Sequence, residues 1–435
     1  TRLHAFFSLL IVAVLTGLAA GIGVADVIDV VIAGFSSTVG TVALLVGFGA
    51  VLGRIIEVTG GAQVLADKML DTFGEKRAPL ALSVASLFYA FPIFLDAGFI
   101  VMLPVIYTVA RRLGGSFMLY VLPSIASFMM MHALLPPHPG PTAAATVMGA
   151  DIGLVILVGL LIGLPTWYFG GYLVARAISK RFPDTPVPAL LGEPREVPVE
   201  ERPAFGAILL VLLMPLVLIF FNTGLSTMEA SGSVSDQNVL YQLSRLVGAT
   251  PVAMALSALT AMLVLYVIPR RRSGQRVGGL LEELVDDALA PVCSIILITG
   301  AGGAFGRVLT ETGIGGQVAE GLDAMGLPLI IAAYLVTMAM RIAQGSATVA
   351  ATTGASIMAP AIMAGDFGTI AVAPLVIAVG PASLGWAHGD RSGFRLIGKF
   401  CGFDTITTFK TWSLVGTTIS LLGFALSSVV FLIAA

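Results

Sequence analysis

The stretch Leu134–Thr142, Leu-Leu-Pro-Pro-His-Pro-Gly-Pro-Thr, sits inside an otherwise apolar run. Four prolines and a glycine crowd into this stretch. Each proline removes an amide donor and collides with the preceding turn, so a helix that enters here must open. In hydrocarbon a freed carbonyl is costly unless protein or a wet cavity meets it, which assigns irregular backbone at this depth to a pocket. His138 lies in the gap.

The rest of the chain sets that break in a membrane. Of 435 residues, 57% are hydrophobic and 11% charged, against roughly 25% charged in a soluble domain. Apolar runs of about 20 residues, the length that crosses a bilayer, recur from end to end. The composition predicts an all-α polytopic membrane protein with no separate soluble domain. A net charge of −2 says nothing about partners, and no nucleic-acid partner is expected. Cys293 and Cys401 both lie in or beside apolar segments, so neither a disulfide framework nor a metal cluster is indicated, and no cofactor is expected.

Phe6–Ala20 reads as a first span, Ala25–Ser37 as a softer interfacial stretch, and Thr41–Ile56 as a second span. Leu80–Ala110 has basic flanks on both sides, Lys76-Arg77 and Arg111-Arg112, and basic loops stay cytoplasmic. It is therefore expected to be a re-entrant hairpin with its tip near Phe94–Gly98. Phe117–Ala150 is a span broken at the proline cluster, and Ile152–Ala175 returns to Arg176. Phe182–Pro203, rich in proline and mixed charge, reads as a cytoplasmic linker. Phe205–Phe221 and Val252–Ile268 are spans joined by a polar loop. Leu280–Leu289, with four acids beside leucines, is expected along the membrane surface, followed by a span from Pro291 to Leu309. Leu327–Ala364 reads as a second hairpin, entering from outside, with its tip at Gln344–Thr348. Ala371–Ala387 leads to a second break, His388-Gly389-Asp390-Arg391-Ser392-Gly393, and Trp412–Ile433 is the last span.

The halves resemble each other. Gly47-Phe48-Gly49 through Gly53-Arg54, Thr59-Gly60 and Gln63-Val64 has a counterpart in Gly300-Ala301-Gly302 through Gly306-Arg307, Thr312-Gly313 and Gln317-Val318. Gly98–Pro104 likewise echoes Gly354–Pro360. The charge rule orients the matching segments oppositely, and inverted repeats with hairpins and broken helices are the plan of secondary transporters that bind substrate near the midplane. The expected organisation is a first repeat over residues 1–180 (scaffold 1–79, hairpin and broken helix 80–180), a linker over 181–203, and a second repeat over 204–435 (scaffold 204–326, hairpin and broken helix 327–435). The second half has one more span before its surface helix than the first, which predicts a further helix preceding Thr1.

The combination of Leu-Pro-Pro-His-Pro-Gly-Pro-Thr (135–142), Gly-Ser-Ala-Thr-Val-Ala (345–350), Val-Gly-Phe-Gly-Ala-Val-Leu-Gly (46–53) and the C-terminal Ser-Gly-Phe followed by Phe-Lys-Thr-Trp resembles the gluconate permease family of the ion-transporter superfamily. The resemblance covers essentially the whole chain. It implies proton-coupled uptake of gluconate or a related sugar or hydroxy acid across the bacterial inner membrane, and a homodimer with an elevator-like transport domain. One motif departs from the family. Where the family reads Asn-Asp-Ser-Gly-Phe, this chain reads Asp390-Arg391-Ser392-Gly393-Phe394, which bears on both the substrate and the coupling ion.

Several residues are candidates for the site. Gly345, Ser346, Ala347 and Thr348 open a half-helix whose free amides and positive dipole end favour a carboxylate, although Ser346 also suits a plain N-cap. His138 and His388 occupy the two breaks and offer donors and acceptors to substrate hydroxyls, against the plainer role of bracing exposed backbone. Pro139, Gly140 and Gly389 shape the breaks, and Thr142 and Ser392 bring hydroxyls. Asp96, beside Gly98 at the first tip, is the foremost proton carrier, with His138 and Asp390 also candidates; its rival role is to satisfy helix amides at the turn. Arg341 and Arg391 each suit a carboxylate clamp, but for Arg341 pairing with Asp390 or loose carbonyls weighs more. His132, in an apolar run, reads as packed.

The leading function is a proton-driven secondary transporter of a small hydroxylated monocarboxylate, embedded in the lipid bilayer. A sodium-coupled or exchanging carboxylate transporter is the alternative, since hairpin tips also suit Na⁺. An intramembrane enzyme using His138 and Asp96 is the third reading, against which no nucleophile elbow, metal-ligand pair or nucleotide loop appears.

Overall fold

A computed structural model describes residues 4–434 apart from 189–196, 231–232, 275–278, 315–316, 318–319, 322–323, 325, 345, 366 and 386–391, and apart from the side chains at 96, 97, 200, 230, 344, 369, 392, 393, 395 and 396. Among the described residues every regular element is helical, and eight helices are long and apolar enough to cross a bilayer. The principal helices in chain order are α1 (Ala5–Ala19), α2 (Val27–Val58), α3 (Gly61–Phe73), α4 (Ala78–Ala90), α5 (Leu95–Leu113), α6 (Met118–Leu134), α7 (Pro139–Val147), α8 (Ile152–Ser179), α9 (Phe205–Ala230), α10 (Val239–Val247), α11 (Thr250–Arg272), α12 (Leu280–Glu311), α13 (Leu329–Gln344), α14 (Ala347–Ala364), α15 (Thr369–Ala382), α16 (Ser392–Cys401) and α17 (Thr405–Ala434).

Helix ends fall where backbone chemistry demands them. Asp151 accepts from the Leu154 amide at 2.8 Å to start α8, and Asn238 accepts from Leu240 at 2.8 Å to start α10, each satisfying a donor that the first turn leaves orphaned. Gly60, at φ 77°, turns the chain from α2 into α3. An added Cβ there would also meet Val197 of the linker at 3.0 Å. The linker is tied to the same region by Arg202, which pairs with Asp67 at 3.0 Å.

Four expectations are corrected. The interfacial stretch Ala25–Ser37 and the span Thr41–Ile56 are one helix, α2, and the acidic Leu280–Leu289 runs on into the following span as α12. A dip in hydropathy does not break backbone hydrogen bonding. Pro291 costs only a short 3₁₀ turn at Ala290–Val292. The first hairpin turns at Phe91–Phe94, around Pro92, rather than at Phe94–Gly98, so Asp96 and Gly98 lie within the start of α5. The polar loop between α9 and α11 also holds a helix, α10.

The chain divides into two compact units: residues 1–43, 129–181 and 293–435, and residues 44–128 and 182–292. The first unit holds α1, α7, α8 and α13 to α17. It is packed through small residues, which in a membrane let helix backbones approach where apolar burial alone supplies no force. A Cβ on Gly302 would fall 2.4 Å from Thr352, one on Gly354 2.1 Å from Thr337 Oγ1, and one on Gly380 2.0 Å from the Ala133 carbonyl. Ser356 Oγ donates to the Gly302 carbonyl at 2.8 Å, and the Tyr334 and Ser420 hydroxyls bond at 2.8 Å. In the second unit α4 and α6 are stitched by hydroxyls. Ser83 Oγ donates to the Pro123 carbonyl at 2.8 Å, and Ser127 Oγ to the Ser83 carbonyl at 2.7 Å.

Helices α2 and α12 are both 32 residues long, and their starts, glycine motifs and ends share one offset of 253 positions. Their contacts repeat with that offset exchanged. In the second unit Arg54 of α2 pairs with Asp287 of α12 at 3.2 Å. In the first unit Arg307 of α12 packs on Gly34 of α2, where a Cβ would meet its Cβ at 2.5 Å.

Candidate functional site

The proline cluster ends α6 at Leu134 and restarts the chain as α7. The Leu135 amide still reaches the Met131 carbonyl at 3.2 Å, His138 N reaches the Leu135 carbonyl at 3.2 Å, and Thr142 N reaches the His138 carbonyl at 3.0 Å. Pro139 and Pro141 carry no amide hydrogen, so of the first three residues of α7 Gly140 alone has an N–H to offer. Helix α14 starts alike. Ser346, in extended backbone, accepts from the Val349 amide at 3.4 Å, which leaves Ala347 and Thr348 as the first-turn donors.

These two first turns lie side by side. A Cβ on Gly140 would sit 3.4 Å from Ala351 Cβ and 3.7 Å from Thr348 Cα. The two helix starts thus lie within van der Waals reach of each other at Gly140, so both positive dipole ends share one locality. Around them the residues are cationic or hydrogen-bonding. His138 is 3% exposed, Arg341 6%, and Thr142 is fully buried with its Oγ1 unpartnered among the described residues. The His132 and His138 rings meet edge to face, with centroids 5.3 Å apart, and Arg341 lies within electrostatic reach of His132. Two helix N-termini and a buried hydroxyl form a setting suited to a carboxylate that carries hydroxyls.

Of the residues singled out in the sequence, His138, Pro139, Gly140, Thr142, Ser346, Ala347 and Thr348 come together in this unit. Asp96 and Gly98 belong to the other unit. Gly98 packs where a Cβ would meet the Phe128 ring at 2.6 Å, and the Asp96 side chain lies outside the described residues. Gly345, His388, Gly389, Asp390 and Arg391 lie outside the described residues, as does the side chain of Ser392 at the start of α16. Arg341 and His132 enter the site's surroundings, although the sequence favoured pairing with Asp390 or loose carbonyls for Arg341 and packing for His132. A charged residue one turn before a hairpin tip was the available signal for Arg341.

Eight helices long and apolar enough to cross a bilayer, with a buried polar locality at opened helix starts, are the features of a multi-pass membrane protein. The family model for GntP family permeases matches residues 1–433, and the chain belongs to that family; its relatives are named permeases and transporters rather than enzymes. It is 33% identical over 437 residues to the inner membrane permease YgbN of Escherichia coli K12, covering 98% of this chain and 93% of that one. It is 33% identical over 426 residues to a gluconate permease of Pseudomonas aeruginosa, covering 97% and 91%. The fold is similar to that of the Alcanivorax borkumensis YdaH transporter, with a TM-score of 0.61 at 14% identity over 98% of this chain and 96% of that one.

Proposed function

We propose that this permease is a secondary active transporter that takes up gluconate or a closely related sugar acid, driven by protons. The observation that carries the reading is the pairing of the α7 and α14 first turns at Gly140 and Thr348. Two positive helix ends suit a carboxylate, and His138 and Thr142 suit the hydroxyls of a sugar acid. Relatives named gluconate permease and L-idonate transporter support that substrate class. The binding set is Gly345, Ser346, Ala347 and Thr348 from one tip, His138, Pro139, Gly140 and Thr142 from the first break, and His388 to Ser392 from the second. Asp96, with Gly98 beside it, His138 and Asp390 are the proposed proton-coupling groups.

The exchanged contacts of α2 and α12 support two repeats of opposite orientation. In this reading α4 with α5 and α13 with α14 are the hairpins, and the first break lies between α6 and α7. An elevator-type movement in a homodimer is what the resemblance to the ion-transporter superfamily implies.

Proteoliposomes with labelled gluconate test it. An imposed inward proton gradient drives uptake and a sodium gradient alone does not. Ser346→Ala and His138→Ala each lower affinity on the order of tenfold, the scale of one lost charge-assisted or buried hydrogen bond. Uptake on a sodium gradient alone overturns the coupling, and a protein that binds no sugar acid overturns the substrate.

A further inference from the structure

His132 is left out of the binding set above, and its surroundings do not look like plain packing. It sits in the last turn of α6, six residues before His138. Its Nδ1 is buried and has no hydrogen-bond partner among the described residues, and the same is true of Thr142 Oγ1, one turn into α7. Both groups flank His138. The His132 ring meets the His138 ring at 5.3 Å and 73°, and the Thr142 amide is bonded to the His138 carbonyl at 3.0 Å.

Each buried polar atom left unsatisfied costs about 1–3 kcal/mol, whereas an apolar residue of the same shape carries no such cost. Phenylalanine would keep the ring contact of His132, and valine the shape of Thr142. Two such costs beside one imidazole are accounted for if a ligand supplies the missing partners. The chemistry of the two atoms indicates which part of the ligand they meet. A ligand hydroxyl can donate or accept and so suits both the threonine oxygen and the imidazole nitrogen, while the carboxylate, which only accepts, is met by the free amides of the helix starts.

We propose that His132, together with Thr142, reads the hydroxyl groups of the substrate, so that the site selects polyhydroxylated carboxylates over plain carboxylates of the same length. This rests on the carboxylate-binding reading of the α7 and α14 starts and adds the specificity to it.

The test measures binding of gluconate and of hexanoate, the six-carbon acid without hydroxyls, to the purified full chain by calorimetry, with thermal unfolding as the check on folding. The wild type prefers gluconate. His132→Phe and Thr142→Val each reduce gluconate affinity roughly tenfold to a hundredfold, the scale of losing a hydroxyl contact to a buried polar group. Hexanoate binding falls by a smaller factor, so the preference for gluconate shrinks in both variants. Thr142→Val removes an unpaired buried hydroxyl at constant shape, so it keeps the test open if the histidine variant fails to fold. Variants that fold and keep the wild-type preference for gluconate overturn the proposal while the carboxylate reading stands. A wild type that binds both acids equally does the same. A wild type that binds neither acid overturns both readings.

Discussion

Arg54 Nη2 lies 3.2 Å from Asp287 Oδ2, and the equivalent pair in the other unit, Arg307 and Gly34, keeps the arginine and replaces the acid by a glycine pressed against it. The two positions therefore tolerate charge very differently. The side chains of Arg54 and Asp287 are 33% and 57% exposed, so a double-mutant cycle of Arg54→Gln and Asp287→Asn is expected to return a coupling below about 1 kcal/mol. Gly34→Asp, which would copy the acid into the other unit, meets the Gly303 carbonyl at 2.7 Å and Ala304 Cα at 2.9 Å from its Cβ onward. Thermal unfolding should show it destabilised by more than about 2 kcal/mol.

Gly380 on α15 lets that helix lie on the Ala133 carbonyl, at the point where α6 is about to open. A Cβ would fall 2.0 Å from that oxygen, and backbone cannot yield as a side chain end can. Gly380→Ala is expected to lower stability by about 1–3 kcal/mol and to reduce uptake, because it pushes on the residues that lead into the break. Gly224→Ala, in α9 with nothing within 4 Å, is the control. It should be neutral or stabilising by up to about 1 kcal/mol through helix propensity. Equal behaviour of the two variants in a melting experiment would count against the packing account.

Thr142→Val should separate stability from binding. Its Oγ1 is buried and unpartnered among the described residues, so the ligand-free variant should melt at the same temperature as the wild type or higher, by an amount worth about 1 kcal/mol. A clear loss of stability in the absence of ligand would mean that the hydroxyl already has a structural partner.

Asp404 caps the start of α17, accepting from the Thr407 amide at 2.7 Å. Hydrogen bonds from Thr407, from its side chain foremost and then its amide, hold the carboxyl below its usual range. A depressed carboxyl contributes stability that is present above its unfolded value, about 3.9, and is lost as pH falls through the folded value. The difference in melting temperature between wild type and Asp404→Ala should therefore be constant from about pH 5 to 8 and shrink only below about pH 4. A difference that changes near neutral pH would assign the effect to another group.

The break at His138 and the tip at Ser346 were legible because proline and glycine act locally: wherever the chain goes, those residues cannot continue a helix. The length of α2 and α12 was not. Ala25–Ser37 and the acids of Leu280–Leu289 read as separate elements by hydropathy, yet a helix is held by its backbone and carries polar turns at its end without interruption. The hairpin tip moved to Pro92 for the same local reason that made the proline cluster readable. Gly98 read as a turn residue and proved to be a contact with Phe128, because close approach between helices leaves no trace in the sequence beyond the glycine. For Arg341 the sequence favoured pairing with Asp390 or loose carbonyls and for His132 plain packing, and only the neighbouring elements show what surrounds them.

The buried faces of α7 and α14 in the first unit are built mostly of glycine, alanine, serine, threonine and proline. Nearly every random substitution there can only add bulk, and bulk has nowhere to go. A laboratory that wishes to retune the preference of this permease would do better to shuffle among small side chains that trade a methyl for a hydroxyl than to sample the full alphabet.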